Sequence, residues 1–189
     1  MDRPQGIDKY DNTQTAMTPL YAIDFDKTLV PYDSFRRYLL HLWRLRPLTV
    51  SILILLRATR IISGCSLKEK VTRMIERSAA LTKDAHRFAN RLVYDVSWPR
   101  APRKEEQVLI LSASPMVYMR YVAEILQTKL LCSDYNNNEY TNLYGIAKQE
   151  ALHTRYPREE YRYAYAVSDS QSDLCWMQEF EEYLIVENE

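Results

Sequence analysis

"LYAIDFDKTLVPYDSF", residues 20–35, decides how the rest of the chain is read. Leu20–Ile23 is an apolar run of strand length, and it ends on two acids, Asp24 and Asp26, with Phe25 between them. Residues alternate sides along an extended chain, so both aspartates face one way while Phe25 packs the other. Two carboxylates that close repel unless a cation or a shared proton intervenes. Magnesium suits the position, because it takes oxygen ligands and typically uses one or two carboxylates with substrate phosphate.

Outward from this stretch, further strand-length apolar runs fall at 108–111, 129–132, 161–167 and 183–186, and helical patterns at 117–127, 147–155 and 172–180 lie between them. Alternation of strand and helix is the pattern of an open parallel sheet covered by helices. In such a sheet the carboxyl ends of the strands line the ligand crevice, so Asp24 and Asp26 are expected there. Between the first two strands the chain reads as helix throughout. Ser66, Leu67, Lys68 and Glu69 form a capping box, and apolar residues from Leu67 to Leu92 follow a helical spacing with the basic residues on the outer face.

A net charge of zero conceals a division. Residues 34–104 hold sixteen Lys and Arg against four acids, whereas the remainder holds nine against 21. We read three parts: a loose polar tail at 1–18, a sheet-bearing core at 19–33 and 105–189, and a basic helical insertion at 34–104. The insertion would draw anionic substrates toward the crevice. Cys65, Cys132 and Cys175 are odd in number and show no CxxC, which suggests neither a disulfide framework nor a zinc site and fits a reducing, cytoplasmic setting. The N-terminus does not read as a secretory leader. His41, His86 and His153 lack metal-ligand spacing and are expected on helix surfaces, and the fifteen tyrosines sit among mixed charge, so no nucleic-acid partner is expected.

Three later segments end on chemistry-bearing residues. "VLILSASP" ends on Ser112, whose hydroxyl with the following N–H of Ala113 suits phosphate oxygens. "YGIAKQEAL" places Lys148 at the start of a helix, where a bound anion would compensate the doubled positive charge. "YAYAVSDSQSD" ends on Asp169, with Asp173 four residues on. Taken singly, each such residue is as readily a turn or a helix cap.

Their order, DxDxT then Ser then Lys then DxxxD, resembles the four signature motifs of the haloacid dehalogenase (HAD) superfamily, over Leu20 to Val186. "DFDKTL", "SASP", "YGIAK" and "SDSQSD" look most like its phosphoserine-phosphatase-like branch, which includes phosphatidylglycerophosphatase C. The resemblance implies an α/β fold with a HAD-like Rossmannoid parallel sheet flanked by helices, and a helical cap of the first type inserted after the first strand. It also implies the roles. Asp24 is the nucleophile that forms an aspartyl-phosphate, and Asp26 is the general acid and base. Asp24, the backbone carbonyl of Asp26, and Asp169 hold Mg2+; Ser112, Ala113 and Lys148 cradle phosphate; Thr28 orders the Asp26 loop; Asp173 positions Lys148 or a metal-bound water. "DKT" at residues 26–28 also resembles the phosphorylation motif of ion-pumping ATPases, but Leu29 and Val30 follow where Gly and Thr should stand.

Departures bear on the substrate. Asp33 occupies the place of a glutamate that meets the substrate amine in phosphoserine phosphatases, Ser168 stands where the branch often has Gly, and "SDYNNNEYTNLYG" is a shortened approach to the lysine. The expected activity is a magnesium-dependent phosphomonoester hydrolase acting on a small or lipid-linked anionic phosphate. The alternative is a catalytically weak scaffold binding an anionic lipid, polymer or protein through its basic cap. Residues 47–56, apolar on every side between Arg46 and Arg57, are too few to span a bilayer, which needs about 20 residues. They are expected to bury inside the cap, with peripheral membrane contact at the inner membrane face as the other reading.

Overall fold

In a computed structural model describing residues 17–187, six strands form one mixed sheet in the order β4-β3-β2-β1-β5-β6. β1 (Thr18–Ile23) lies in its interior, parallel to β2 (Gln107–Pro115) on one side and β5 (Tyr161–Ser168) on the other. β6 (Glu182–Ile185) pairs parallel with β5. On the far side β3 (Lys129–Asn136) joins β2 in parallel and β4 (Glu139–Thr141) turns back antiparallel. The α/β class and the parallel Rossmannoid sheet expected from sequence are present. The tail expected at 1–18 lies outside the described residues except for Met17 and Thr18, and Thr18 opens β1.

β1 sorts its side chains by parity. Tyr21, Ile23 and Phe25 enter one apolar cluster and Leu20 and Ala22 the other, all fully buried, as period two requires of a strand covered on both faces. The second cluster is sealed by α6 (Ile146–Arg155) and α7 (Leu174–Met177), whose Leu152, Trp176 and Met177 are fully buried. The first is sealed by α5 (Met116–Leu126) and by four helices inserted between β1 and β2: α1 (Ser34–Leu45), α2 (Pro47–Ala58), α3 (Gly64–Glu76) and α4 (Ala79–Val93). Apolar contact is continuous from the sheet into these helices, so the insertion adds to one core.

Several local expectations need correction. The cap of α3 is Ser63, whose side chain accepts from the Ser66 N–H at 3.0 Å; Ser66 lies inside the helix. The spacing from Leu67 to Leu92 is broken at Ser78, which caps a separate α4. The helix expected over 172–180 is a 3-10 turn at Gln171–Asp173 followed by the single turn α7. "YNNNEY" is a hairpin: Asn137 and Asn138 take φ of 49° and 67°, the left-handed pair that a two-residue turn between twisted strands requires. Residues 47–56 do not bury inside the cap. Val50 and Leu53 do, but most of the remaining apolar side chains of α2 are exposed.

The return from the insertion to β2 is pinned by Arg100. Its guanidinium makes two bonds of 3.0 Å to Glu106 and lies over the rings of Tyr165 and Tyr21, 4.1 and 4.7 Å from their centroids. Burial alone would push the Glu106 carboxyl up, but Arg100 and the Arg103 N–H hold it below its ordinary range. A carboxyl depressed in the folded state contributes stability above its unfolded value and loses it as pH falls through the folded one. Glu106→Gln is expected to cost about 1–2 kcal/mol at pH 7, allowing for the solvent that reaches the arginine. In denaturant melts the deficit should close as pH falls below about 4.

Candidate active site

Beyond Ile23 the chain keeps its pairing for one more residue, as the Asp24 N–H donates to Val167 O at 2.9 Å. It then folds on itself. The N–H groups of Thr28, Leu29 and Val30 all converge on Phe25 O, and Lys27 takes φ of 58°. With Phe25 buried as the anchor of this loop, Asp24 and Asp26 are left on the wall of one cleft of about 260 Å³.

Asp24 is 6% exposed. Its Oδ1 accepts from Lys148 Nζ at 2.7 Å, and among the described residues its Oδ2 has only a long contact, 3.4 Å, from the Thr28 hydroxyl. Lys148 rises from the first turn of α6 beneath Gly145, whose φ of 56° lets the chain turn sharply into the helix. Its ammonium also donates to Asp173 Oδ2 at 2.6 Å, and the same oxygen receives the Ser168 hydroxyl at 2.7 Å. Burial would push the Lys148 ammonium down, but Asp24 and Asp173 outweigh it and hold the group above its ordinary value. Asp24 is the converse. Burial, reinforced by Asp173 and Asp26 and opposed by Lys148, pushes its carboxyl up to about 7.

Asp26 is held differently. Its Oδ1 receives the Ser34 N–H at the start of α1 at 2.6 Å, and its Oδ2 receives the Ser114 hydroxyl at 2.5 Å. Ser34 Oγ in turn meets Ser114 Oγ at 3.2 Å and the Tyr118 hydroxyl at 2.9 Å, which locks the rotamers of this group. Burial raises the Asp26 carboxyl despite these bonds. Asp169 follows β5, its N–H donating to Thr28 Oγ1 at 2.9 Å, so Thr28 bridges the first and last acidic loops. Burial raises its carboxyl as well.

The model of the haloacid dehalogenase-like hydrolases matches residues 22–178. The chain belongs to that family. No curated protein matches it. Among solved structures it is similar to a protein of unknown function from Bordetella pertussis Tohama I, with 14% identity, a TM-score of 0.60, and 89% of this chain and 90% of that one covered. It is also similar to a phosphoserine phosphohydrolase-like protein from Francisella tularensis subsp. tularensis SCHU S4, with 15% identity, a TM-score of 0.52, and 88% and 86% covered. At these identities the likeness is one of fold.

For this haloacid dehalogenase-like hydrolase, the cleft brings together Asp24, Asp26, Asp33, Ala113, Lys148, Asp169 and Asp173. Ser112 and Thr28 lie behind the wall. Ser112 is fully buried inside β2 rather than at its end, and its hydroxyl accepts from the Ser114 N–H at 3.1 Å. Pairing of β2 with β3 passes from Ser112 to Pro115, so Ala113 and Ser114 bulge out of the ladder to form the wall. Asp33 lines the cleft while serving as the N-cap of α1, its Oδ1 accepting from the Arg36 N–H at 2.8 Å.

Ser34, Lys68, Ser114 and Tyr118 are site residues that sequence reasoning missed. Lys68 was expected on the outer face of its helix, yet it turns inward from α3 to donate to Ala113 O at 2.7 Å and Asn142 Oδ1 at 3.1 Å. Burial lowers its ammonium, while Asp26 and Asp33 pull it back up. The signal was weak: Lys68 directly follows the buried Leu67, but adjacent helix positions differ by only about 100°. Ser114 was within "SASP" but without an assigned partner.

Among the described residues no group of three His, Cys, Asp or Glu side chains is arranged to hold a metal. A magnesium ion would instead use the Asp24 and Asp169 carboxylates with the Asp26 backbone carbonyl. The residues fit such an ion. All three donors are oxygen, and Asp24 Oδ2 is a buried carboxylate oxygen with no bond shorter than 3.4 Å from a described residue. A carboxyl raised in the folded state contributes stability below its unfolded value and loses it as pH rises through the folded one. In chelator, Asp24→Asn should therefore melt above wild type at pH 8, with the difference closing toward pH 4. Added magnesium should narrow that gap at pH 8 by raising the wild-type melting temperature.

Proposed function

We propose that the protein is a magnesium-dependent phosphatase that hydrolyses small or lipid-linked phosphomonoesters through an aspartyl-phosphate on Asp24. The observation that carries this reading is the unequal treatment of two carboxylates on one cleft wall. Burial raises both carboxyls, but Asp24 is fixed by a lysine cation at one oxygen and left nearly bare at the other, whereas Asp26 has both oxygens clamped by neutral donors and no cation among the described residues bonded to it. That arrangement supports a nucleophile beside a carboxyl able to carry a proton.

In the first step the Asp24 carboxylate attacks phosphorus, the bond from phosphorus to the leaving oxygen breaks, and Asp26 gives that oxygen its proton. In the second a water attacks the aspartyl-phosphate, Asp26 takes its proton, and the Asp24 carboxylate is released with inorganic phosphate. The Lys148 ammonium and the Ala113 N–H stabilise the charge on the transferring group. When bound, magnesium would offset the negative charge of Asp24, Asp169 and the phosphoryl oxygens. Lys68 and Asp33, reaching the cleft from α3 and the start of α1, are the charged groups placed to meet the leaving group. A polar or anionic alcohol suits them better than a plain alkyl one. Three free cysteines suit a reducing cytoplasm.

Phosphate release should require magnesium and fall to the solution background in Asp24→Asn. In single-turnover measurements of the first step, Asp26→Asn should lose about 10²–10⁴-fold with an alkyl phosphate such as phosphoserine and much less with p-nitrophenyl phosphate, whose leaving oxygen needs no proton. Lys68→Met should raise KM for anionic leaving groups while leaving kcat for the aryl phosphate nearly unchanged. Equal losses on both substrates in Asp26→Asn would remove the acid role. If Asp24→Asn binds anions as wild type does and neither phosphoserine nor p-nitrophenyl phosphate is hydrolysed by either, the binding-scaffold reading replaces this one.

A further inference from the structure

From residue 34 to residue 67 the chain carries six arginines and no acid. α2 within this stretch has its two most buried residues, Val50 and Leu53, on the inner side. On the opposite side Leu48, Ile52 and Leu55 follow i, i+4, i+7 and stand 81%, 58% and 62% exposed. The stripe continues at both ends. Trp43, half exposed on α1, donates its indole N–H to Ser51 Oγ at 3.0 Å and so lies against the same helix; Ile61, just past the helix end, is 71% exposed. A helix buried on two residues and bare on a full apolar stripe is unusual for a surface that meets only water.

Charge limits what can cover it. Arg44 and Arg46 stand at the corner between α1 and α2, and Arg57 and Arg60 at the other end; all four are exposed and none is ion-paired with a described residue. A two-fold contact between copies would set arginine-flanked patches face to face, a like-charge arrangement that opposes association. Residues 1–16 bring only Met1, Ile7 and Tyr10 as large apolar side chains, too few to replace the stripe's contacts with water. An anionic bilayer surface supplies both needs at once: acyl chains for the leucines and isoleucines, and phosphates for the guanidinium groups.

We infer that α2 is a membrane-surface anchor that lies in the plane of an anionic lipid leaflet, with Leu48, Ile52 and Leu55 inserted and Arg44, Arg46, Arg57 and Arg60 on the headgroup phosphates. The helix has twelve residues, and among the described residues no helix is long and apolar enough to cross a membrane, so it lies flat rather than spanning. The anchor is separate from the cleft. None of these side chains lines it, and the inference holds whether or not the cleft hydrolyses phosphates.

Co-sedimentation with vesicles of phosphatidylcholine alone and of phosphatidylcholine mixed with phosphatidylglycerol tests it. Wild type should pellet with the mixed vesicles, release from them as salt is raised, and stay in the supernatant when the neutral vesicles are pelleted. Arg57→Gln with Arg60→Gln should weaken binding about thirtyfold, the loss of two near-surface cations. Leu48→Ser, Ile52→Ser and Leu55→Ser together should abolish it while far-UV circular dichroism and the melting temperature stay at wild-type values. Absence of sedimentation with either vesicle, or equal binding by wild type and both variants, would overturn the inference. So would a dimer in solution that the triple variant dissolves, with no vesicle binding.

Discussion

The ammonium of Lys148, buried between the carboxylates of Asp24 and Asp173, is the interaction on which the site depends. One cation among two anions leaves the group short of positive charge, and Asp26 stands two residues from Asp24 on the same wall. A buried cluster with surplus negative charge answers by raising carboxyl values or by taking up a cation. The raised Asp24 carboxyl is the first response. The bare Oδ2 oxygen, joined through Thr28 to the loop of Asp169, is where the second could act. Each member arrives on a different element: Asp24 after β1, Lys148 on α6, Asp173 after β5. The triad therefore forms only when the sheet and the helix behind it are in register.

Much of this is legible in the sequence. Strand ends, spacing of acids and the lysine at a helix start are local features, and one parallel sheet gathers its strand ends on one edge. What stayed hidden was set by tertiary contacts or by turn chemistry. Ser63 and Ser66 are equally good caps in composition, and the helix starts at the former because Gly64 and Cys65 continue into it. Asn137 and Asn138 form a hairpin that two adjacent left-handed residues permit, a signal present in the letters but read only as a shortened loop. The apolar run stops at Ser112 and so points to a strand end there, whereas the ladder resumes at Pro115 after a bulge. The side on which Lys68 projects depends on a helix packing angle that no pattern of apolar residues fixes for a single lysine.

The hairpin and α3 hold the insertion over the cleft. Arg73 donates to the Tyr135 hydroxyl at 3.2 Å, that hydroxyl donates to Glu69 O at 3.3 Å, and Lys68 reaches Asn142 just beyond β4. Lys68 spends its hydrogen bonds on a backbone carbonyl and an amide, both neutral, although Asp26 and Asp33 are near enough to affect its titration. A neutral-bonded, half-buried ammonium is readily re-aimed toward an incoming anion, since it would exchange neutral acceptors for a charged one. The insertion thus contributes to the cleft a cation whose present partners are the weaker ones it could have.

α1 links the two ends of this architecture. Its first N–H groups are taken by two carboxylates, Ser34 by Asp26 and Arg36 by Asp33, which is where a helix favours negative charge. Its far end, about 18 Å away at 1.5 Å per residue, carries Arg44 and meets the apolar helix α2. Because the Asp26 carboxylate is bonded directly to the α1 backbone, a displacement of α1 along its axis would stretch the Ser34 bond. Ser114 and Tyr118 hold Ser34 from the core side, so such a displacement also has to break the Ser34 hydroxyl contacts. The rigidity of that small polar group, rather than the distance between the two ends, keeps the position of the acid independent of whatever α2 touches.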